Sequence, residues 1–372
     1  MNKNSDHLSS FDKNASSFPN DIDENIENPQ ALSISHYRNI IKDFFNYLLG
    51  IIKIRKSNLI SVKYLLAFKN MHRYSNGLTT DLFSFLTKNK KSHYKYIFND
   101  LSNVASSNEV NLAKQATTAL NKDGYFVFPH RIDAELLEEL KTFSLNQPAE
   151  LCPKLTDGTT HKVFNPDAPE TNRYNFGNSD LSGLSAVRTL SRAYLFRSIA
   201  EAYIGRPPVL STVSMWWTAV GSKIPSSAAA QYFHYDYSHP KWLKFFVYLT
   251  DVDTNSGPHC LIPGSHKSDK MGAAYRKPNR SRIKDSEIES AYPGKYLELC
   301  GPAGTISAVD TRCWHKGKMP TLNNRLIFEL YFTSHGIGDK LPDIHTTIFG
   351  NNDNLASINN FEKTSNFTLV QD

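Results

Sequence analysis

The stretch Gln231-Tyr232-Phe233-His234-Tyr235-Asp236 decides how this chain is read. On an extended backbone, side chains two positions apart project from the same face, so His234 and Asp236 point the same way. One imidazole and one carboxylate side by side are two of the three ligands of a facial triad. That arrangement leaves the opposite side of a non-haem Fe(II) open to other molecules. The third ligand is expected to be a His on a later, neighbouring strand. His315 fits, at the end of Val309-Asp310-Thr311-Arg312-Cys313-Trp314-His315 and directly after the apolar run Gly304–Val309. His239, His259, His266 and His335 lie in the same region. An HxD pair alone arises by chance in many proteins, so order, spacing and strand context must carry the reading together. Pro263-Gly264-Ser265-His266 reads as a structural turn, with His266 hydrogen-bonded rather than ligating.

Arg325 supplies a fourth element, ten positions after His315 and at the start of the next strand. A guanidinium is always charged, and its planar fork matches a carboxylate. 2-Oxoglutarate chelates iron through its C1 carboxylate and keto oxygen, which leaves the C5 carboxylate for such a partner.

Around these residues the chain reads as strands: Val209–Trp217, Ala229–Tyr235, Trp242–Leu249, Cys260–Ile262, Gly304–Val309 and Arg325–Phe332. Turn formers such as Thr254-Asn255-Ser256-Gly257-Pro258 separate them. In the last strand Arg325, Ile327, Glu329 and Tyr331 share one face, and Leu326, Phe328, Leu330 and Phe332 the other. Upstream, Val110–Leu120 reads as a helix and Asp123-Gly124 as a turn before the strand Tyr125–Phe128. Asp133 is a fitting N-cap for a helix Ala134–Phe143. A longer helix, Ser185–Ile204, is stopped by Gly205 and Pro207. Helices followed by many short strands imply an α+β domain built around a barrel or a sandwich.

The N-terminal part has a different texture. Residues 1–30 are polar, carry no hydrophobic period, and are expected to be disordered. From residue 31 the pattern is helical: Ile40, Ile41, Phe44, Phe45, Leu48 and Leu49 mark one stripe. Shorter helices are expected over Leu59–Phe68 and Thr80–Leu86. The net charge of +6 is unevenly spread, with 12 Lys/Arg against 3 Asp/Glu in residues 31–100. That excess is compatible with a partner presenting an acidic surface, and equally with solvated faces of basic helices. No apolar run reaches the ~18 residues of a membrane span. The sequence shows no secretory signal pattern, and no nucleic-acid partner is expected. The four cysteines have no CxxC spacing, as expected of reduced thiols in a cytoplasmic protein. The expected organisation is a tail over 1–30, a basic helical extension over 31–110, a catalytic domain over 111–340 and a C-terminal tail over 341–372.

The chain resembles the phytanoyl-CoA dioxygenase-like branch of the Fe(II)/2-oxoglutarate oxygenases over roughly residues 112–335. The resemblance is carried by Asn121-Lys122-Asp123-Gly124-Tyr125-Phe126-Val127-Phe128, by Ala230–Asp236, and by Leu249-Thr250-Asp251-Val252-Asp253 with Ser256-Gly257-Pro258. Ile262–Lys267, the strand Gly304–Val309, His315 and Arg325 complete it. It implies a double-stranded β-helix (jelly-roll, cupin-like) core with flanking helices. It also implies His234, Asp236 and His315 as iron ligands, with Arg325 as the 2-oxoglutarate anchor. Gln231 and Phe246 match positions that line the cosubstrate. One departure is Gly317, which stands where the family often has a hydroxyl contacting 2-oxoglutarate.

The implied reaction hydroxylates an unactivated C–H bond of a small molecule, consuming O2 and 2-oxoglutarate and releasing succinate and CO2. Asp236 fits hydroxylation, since a Gly or Ala there would open a halide site. Trp217, Tyr237, Lys241 and the loop Asn172-Arg173-Tyr174-Asn175 are the candidates for the substrate mouth. Two other readings stand beside this one. One is a non-redox cupin-type isomerase or epimerase, which has no need of Arg325. The other is a non-catalytic binding protein docked through its basic helices.

Overall fold

The turn at Asp123-Gly124 shows how the domain is pinned together. Gly124 adopts the left-handed conformation (φ 80°), and its N–H caps the preceding helix on Leu120 O. A side chain there would run into the Cys313 sulfur and the His266 ring. Only glycine fits both the dihedral and the space. The turn also accepts 2.8 Å from Asp310 N at Gly124 O and 2.7 Å from Gly264 N at Asp123 O. One turn thus ties the Pro-Gly-Ser-His turn to the loop that leads into His315.

The computed structural model describes residues 34–56, 59–75, 77–87, 106–221, 225–267, 282–350 and 370–371. The expected tail over 1–30 lies outside them. The helices are α1 (Ile34–Lys56), α2 (Val62–Tyr74), α3 (Leu78–Thr87), α4 (Ser107–Asp123), α5 (Ala134–Asn146), α6 (Asn178–Leu181), α7 (Ser185–Arg192), α8 (Tyr194–Ile204), α9 (Asp285–Ala291) and α10 (Asp343–Phe349). The strands are β1 (Leu59–Ile60), β2 (Tyr125–Arg131), β3 (Pro148–Cys152), β4 (His161–Val163), β5 (Arg173–Phe176), β6 (Val209–Thr218) and β7 (Trp242–Tyr248). They continue with β8 (His259–Leu261), β9 (Leu297–Leu299), β10 (Thr305–Val309), β11 (His315–Gly317), β12 (Arg325–Thr333), β13 (Gly336–Ile337) and β14 (Val370–Gln371).

A nine-stranded antiparallel sheet runs in the order β14-β2-β10-β7-β12-β6-β5-β3-β4, and a three-stranded sheet in the order β11-β8-β9. The two faces of the large sheet have different partners. Val213, Met215, Phe245, Val247, Phe328 and Leu330 point to one side and pack with α4, α5, α7, α8 and α10 into the main core. Trp216, Phe246, Tyr248 and Ile327 point to the other side and meet Leu261 and Leu299 of the small sheet. Helices, large sheet and small sheet are therefore three layers, and the interior between the two sheets is where polar residues gather.

The N-terminal helices have a core of their own, built from Tyr47, Ile51, Ile54, Phe68 and Phe83, against which Tyr237 and Ile337 pack. β1 pairs in parallel with β13 and joins this unit to the domain. The helix α10, in the expected C-terminal tail, buries Ile344 and Ile348 in the main core.

Two expected elements differ. The helix Ser185–Ile204 is broken at Ala193, whose ψ of 119° is extended, so it ends α7 and begins α8. The expected strand Ala229–Tyr235 is not a regular strand. Residues 227–230 form a turn, Ala230 has φ 57°, and only Phe233 and His234 make isolated bridges, to Ile283 and His315. The segment is extended because it is bridged on both sides, not because it belongs to a sheet.

Candidate metal centre

Alternation along that bridged segment builds the site. Phe233 points away from the sheet interior into a small apolar cluster with Ile262, Ile283, Ile288 and Trp314. Its neighbour His234 therefore points inward, and the same logic turns His315 inward from Trp314. The two histidines face each other across an antiparallel bridge, with His234 N to His315 O at 2.9 Å and His315 N to His234 O at 2.8 Å. Asp236 is held by its own N–H, which donates 2.8 Å to Thr311 O.

Among the described residues, His234, Asp236 and His315 offer ligand atoms that all lie within 4.8 Å of one another. His234 Nε2 is 3.8 Å from Asp236 Oδ1, and His315 Nε2 is 3.8 Å from Asp236 Oδ2. In both histidines Nδ1 lies 2.9 Å from a carbonyl oxygen, that of Tyr232 or of Cys313. A carbonyl can only accept, so each Nδ1 carries the proton and each Nε2 keeps its lone pair. Burial pushes both imidazoles below the ordinary histidine value, His234 well below, which keeps them neutral. Burial would raise Asp236, but the Lys244 ammonium, helped by a hydrogen bond from Thr311, outweighs it and holds the carboxylate far below its usual range. Two neutral imidazoles and one carboxylate fit a divalent first-row metal, including Fe(II), with an open side.

Arg325 is buried at the start of β12, between β6 and β7. Its Nη2 donates 3.1 Å to Thr218 Oγ1, Nη1 donates to Gly257 O, and Nε has no partner. It also lies beside Gly317, two residues from His315 and on the same face of β11: a Cβ added there would stand 3.4 Å from Nη2. Residues i and i+2 of a strand are about 6.5–7 Å apart, close to the length of a five-carbon dicarboxylate. Gln231 is buried too. Its Oε1 accepts 2.8 Å from Ser226 N while its Nε2 is unpartnered. The ring of Phe246 lies 4.8 Å from that of His259, which in turn stacks on His315 at 5.4 Å and 11°. His259 Nε2 is also without a partner. Two orphaned buried polar atoms, on His259 and Arg325, beside a side-chain-free glycine form a cradle that fits a polar dicarboxylate.

Some functional contacts escaped the reading of the sequence. Lys244 Nζ lies 3.1 Å from Asp236 Oδ2 and 3.3 Å from Glu329 Oε2. Burial would lower its pKa, but the two carboxylates raise it, so it stays charged. The available signal was a lone lysine in the apolar strand Trp242–Tyr248. Thr218, opposite Arg325 in the register, accepts from the guanidinium through its hydroxyl oxygen. Asp310 and Arg312 form a buried ion pair (Nε to Oδ2, 2.9 Å), and Tyr203 donates to the same carboxylate. This pair shapes the loop between β10 and β11.

The expected substrate-mouth residues separate. Trp217 is a packing residue: it stacks on Phe164 at 4.4 Å and donates 3.2 Å to Ser144. The register opposes Thr218 to Arg325, so its neighbour Trp216 faces the interior instead. The Arg173 guanidinium covers the Trp216 ring at 4.2 Å and donates 2.6 Å to Asn175. Tyr174 is buried on the opposite face. Tyr237 faces the N-terminal helices, 4.3 Å from the His72 ring. Lys241 lies over Tyr203 and lines a separate recess with Asp81, His266 and Arg312 that contains no ligand residue. His266 contacts Cys313 at 3.5 Å and is outside the ligand group, while His239 and His335 pair with each other at 5.1 Å. All four cysteines are free.

The sequence profile of the phytanoyl-CoA dioxygenase family matches residues 120–319. Comparison with curated proteins finds no match. Among solved structures, the chain is similar to the epimerase SnoN in complex with Fe3+, alpha ketoglutarate and nogalamycin RO (18% identity, 59% of this chain and 83% of that one, TM-score 0.43). It is similar to EctD from S. alaskensis with bound Fe (19% identity, 59% and 75% coverage, TM-score 0.43). It is also similar to the alpha ketoglutarate dependent carbocyclase SnoK from nogalamycin biosynthesis (14% identity, 60% and 85% coverage, TM-score 0.42).

Proposed function

The chain belongs to the phytanoyl-CoA dioxygenase family, and on that premise we propose that it is an Fe(II)- and 2-oxoglutarate-dependent oxygenase hydroxylating a C–H bond of a small organic molecule. The observation that carries this reading is the convergence of His234, Asp236 and His315 with Arg325 and Gly317 beside them. On this reading the two facing sheets are those of a double-stranded β-helix over about residues 111–340, with 31–110 as an appended helical extension.

In this reading His234 Nε2, Asp236 and His315 Nε2 hold the iron, and Arg325 pairs with the C5 carboxylate of 2-oxoglutarate. Gln231 Nε2 donates to the cosubstrate, His259 Nε2 donates or accepts according to its tautomer, and Phe246 forms an apolar wall. The bound iron supplies the activation of O2, with succinate and CO2 as the products of the cosubstrate. Everything else is done by the chain's own residues. The carbonyls of Tyr232 and Cys313 fix the imidazole tautomers. Lys244 holds one oxygen of Asp236, so the carboxylate presents a defined edge. Trp216 and the small sheet exclude water from the interior. Arg173, Asn175 and Glu329 are the polar groups on the same inner face, where they can orient a substrate.

A carboxylate at 236 rather than Gly or Ala supports hydroxylation over halogenation, and Arg325 supports 2-oxoglutarate chemistry over a non-redox cupin isomerisation. The test is succinate formation from 2-oxoglutarate, Fe(II) and O2 across a small-molecule library, with Arg325→Ala as the control. Succinate that depends on Fe(II) and is lost in Arg325→Ala supports the reading. Turnover equal in the variant refutes it.

A further inference from the structure

The helix α1 carries large apolar side chains on two faces. Tyr47, Ile51 and Ile54 are buried in the core of the N-terminal unit. The opposite face presents Ile41, Phe44, Phe45, Leu48, Leu49 and Ile52, each between 37% and 60% exposed. Their spacing is i, i+3, i+4, i+7, i+8, i+11, one continuous stripe at 100° per residue. A helix that serves only to pack on its own domain needs one apolar stripe; the second faces water at a cost.

Charge borders that stripe on one edge. Arg38, Lys42, Lys53 and Lys56 are exposed along it, and Arg55 stands at its C-terminal end. The only acid on the helix, Asp43, is half-buried on the other side and accepts from Asn70 at 2.9 Å. The neighbouring helices add exposed Leu66 (52%) from α2, and Leu78 (62%), Leu82 (45%) and Phe85 (79%) at i, i+4, i+7 from α3. No helix among the described residues is long and apolar enough to cross a membrane.

We propose that the N-terminal helical unit docks this protein on an anionic phospholipid surface, with α1 lying in the interface plane. Charge complementarity selects the occupant. The cations beside the stripe suit lipid phosphates and carboxylates, while the stripe itself enters the boundary between headgroups and acyl chains. A nucleic acid would engage the cations and leave six large apolar side chains in water. A protein groove seats one helix, whereas here α1 and α3 each expose an apolar row and α2 adds Leu66. A fluid bilayer needs no shape complementarity to cover them all.

The test is co-sedimentation of the full chain with vesicles of phosphatidylcholine, with and without phosphatidylserine. Binding is expected only with phosphatidylserine present and is expected to weaken as salt rises. Phe45→Glu with Leu49→Glu, and separately Lys42→Glu with Lys56→Glu, should each lower the bound fraction about tenfold. Those side chains are exposed, so thermal melting and Fe(II) binding should match wild type in both. The proposal is overturned if the full chain does not sediment with anionic vesicles, or if both variants bind as well as wild type. It is equally overturned if the chain self-associates without binding vesicles and Phe45→Glu with Leu49→Glu makes it monomeric. The face would then be a contact between copies.

Discussion

A side chain on Gly317 would begin 3.4 Å from Arg325 Nη2, on the same strand face as the metal-ligand candidate His315. An added methyl therefore just reaches contact with the guanidinium, and a branched side chain fills the space between them. Gly317→Ala should fold and bind 2-oxoglutarate with modest loss. Gly317→Val should weaken 2-oxoglutarate binding by about tenfold or more while leaving metal affinity unchanged, since one blocked contact of a charged group is worth about 1.5–3 kcal/mol. Anaerobic calorimetric titration of both variants reads this directly. Equal affinities in Gly317→Val and wild type would place the cosubstrate elsewhere.

Lys244 sits between Asp236 and Glu329, and its removal leaves two carboxylates facing each other. A fully buried pair broken in this way costs about 3–5 kcal/mol. Asp236 retains 28% exposure of its side chain, so about 1–3 kcal/mol is expected for Lys244→Met in the metal-free protein. Fe(II) should restore more stability to the variant than to wild type, because the metal replaces the lost cation at Asp236. Urea melts with and without Fe(II) check both statements. A variant as stable as wild type without metal would show that the lysine holds nothing.

Asp310 and Arg312 are both fully enclosed, with Tyr203 donating to the same carboxylate. Asp310→Asn removes the countercharge of a buried guanidinium and should destabilise the fold by about 3–5 kcal/mol. A loss below about 1 kcal/mol in urea melts would mean the arginine finds solvent.

His345 should make stability fall in mild acid. Its Nδ1 accepts 3.0 Å from Leu210 N, and burial, with Arg197 nearby, lowers its pKa from 6.5 to about 4. The folded pKa is below the unfolded one, so the unfolded chain takes up the proton first. Stability from this group is complete above pH 6.5, declines as pH falls from 6.5 to about 4, and is then fully lost. Thermal melts should show His345→Gln, which keeps an acceptor but does not titrate, losing less stability than wild type between pH 7 and pH 4.5 (an interval of roughly that window). Parallel pH profiles would remove His345 as a source of acid sensitivity.

The sequence made legible what depends on short-range periodicity and chemical type. Alternation in β12 assigned Arg325 and Glu329 to one face, and the structure places that face toward the small sheet. His234, Asp236 and His315 could be chosen because few residue types bind iron and their order was constrained. What was not legible depends on long-range register. Nothing in Ser185–Ile204 marks Ala193 as extended, since it is neither Gly nor Pro and only tertiary packing bends the chain there. Trp216 and Trp217 are adjacent, and only the pairing of Thr218 with Arg325 decides which one faces the interior. Nothing in the strand Trp242–Tyr248 tells what Lys244 faces; only the place of β7 between β10 and β12 brings it to Asp236 and Glu329. His259 was one histidine among several until its register opposite Gly317 put it beside the proposed cradle.

On the proposed reading, His234, Asp236 and His315 hold one Fe(II) that opens onto a 2-oxoglutarate site. The most direct measurement is anaerobic equilibrium binding of Fe(II), then 2-oxoglutarate, to the full chain and to Asp236→Ala, followed by admission of O2 and assay of succinate. One iron per chain, cosubstrate binding that requires it, and succinate lost in Asp236→Ala are the expected results. Iron binding and succinate formation undiminished by Asp236→Ala would contradict the account.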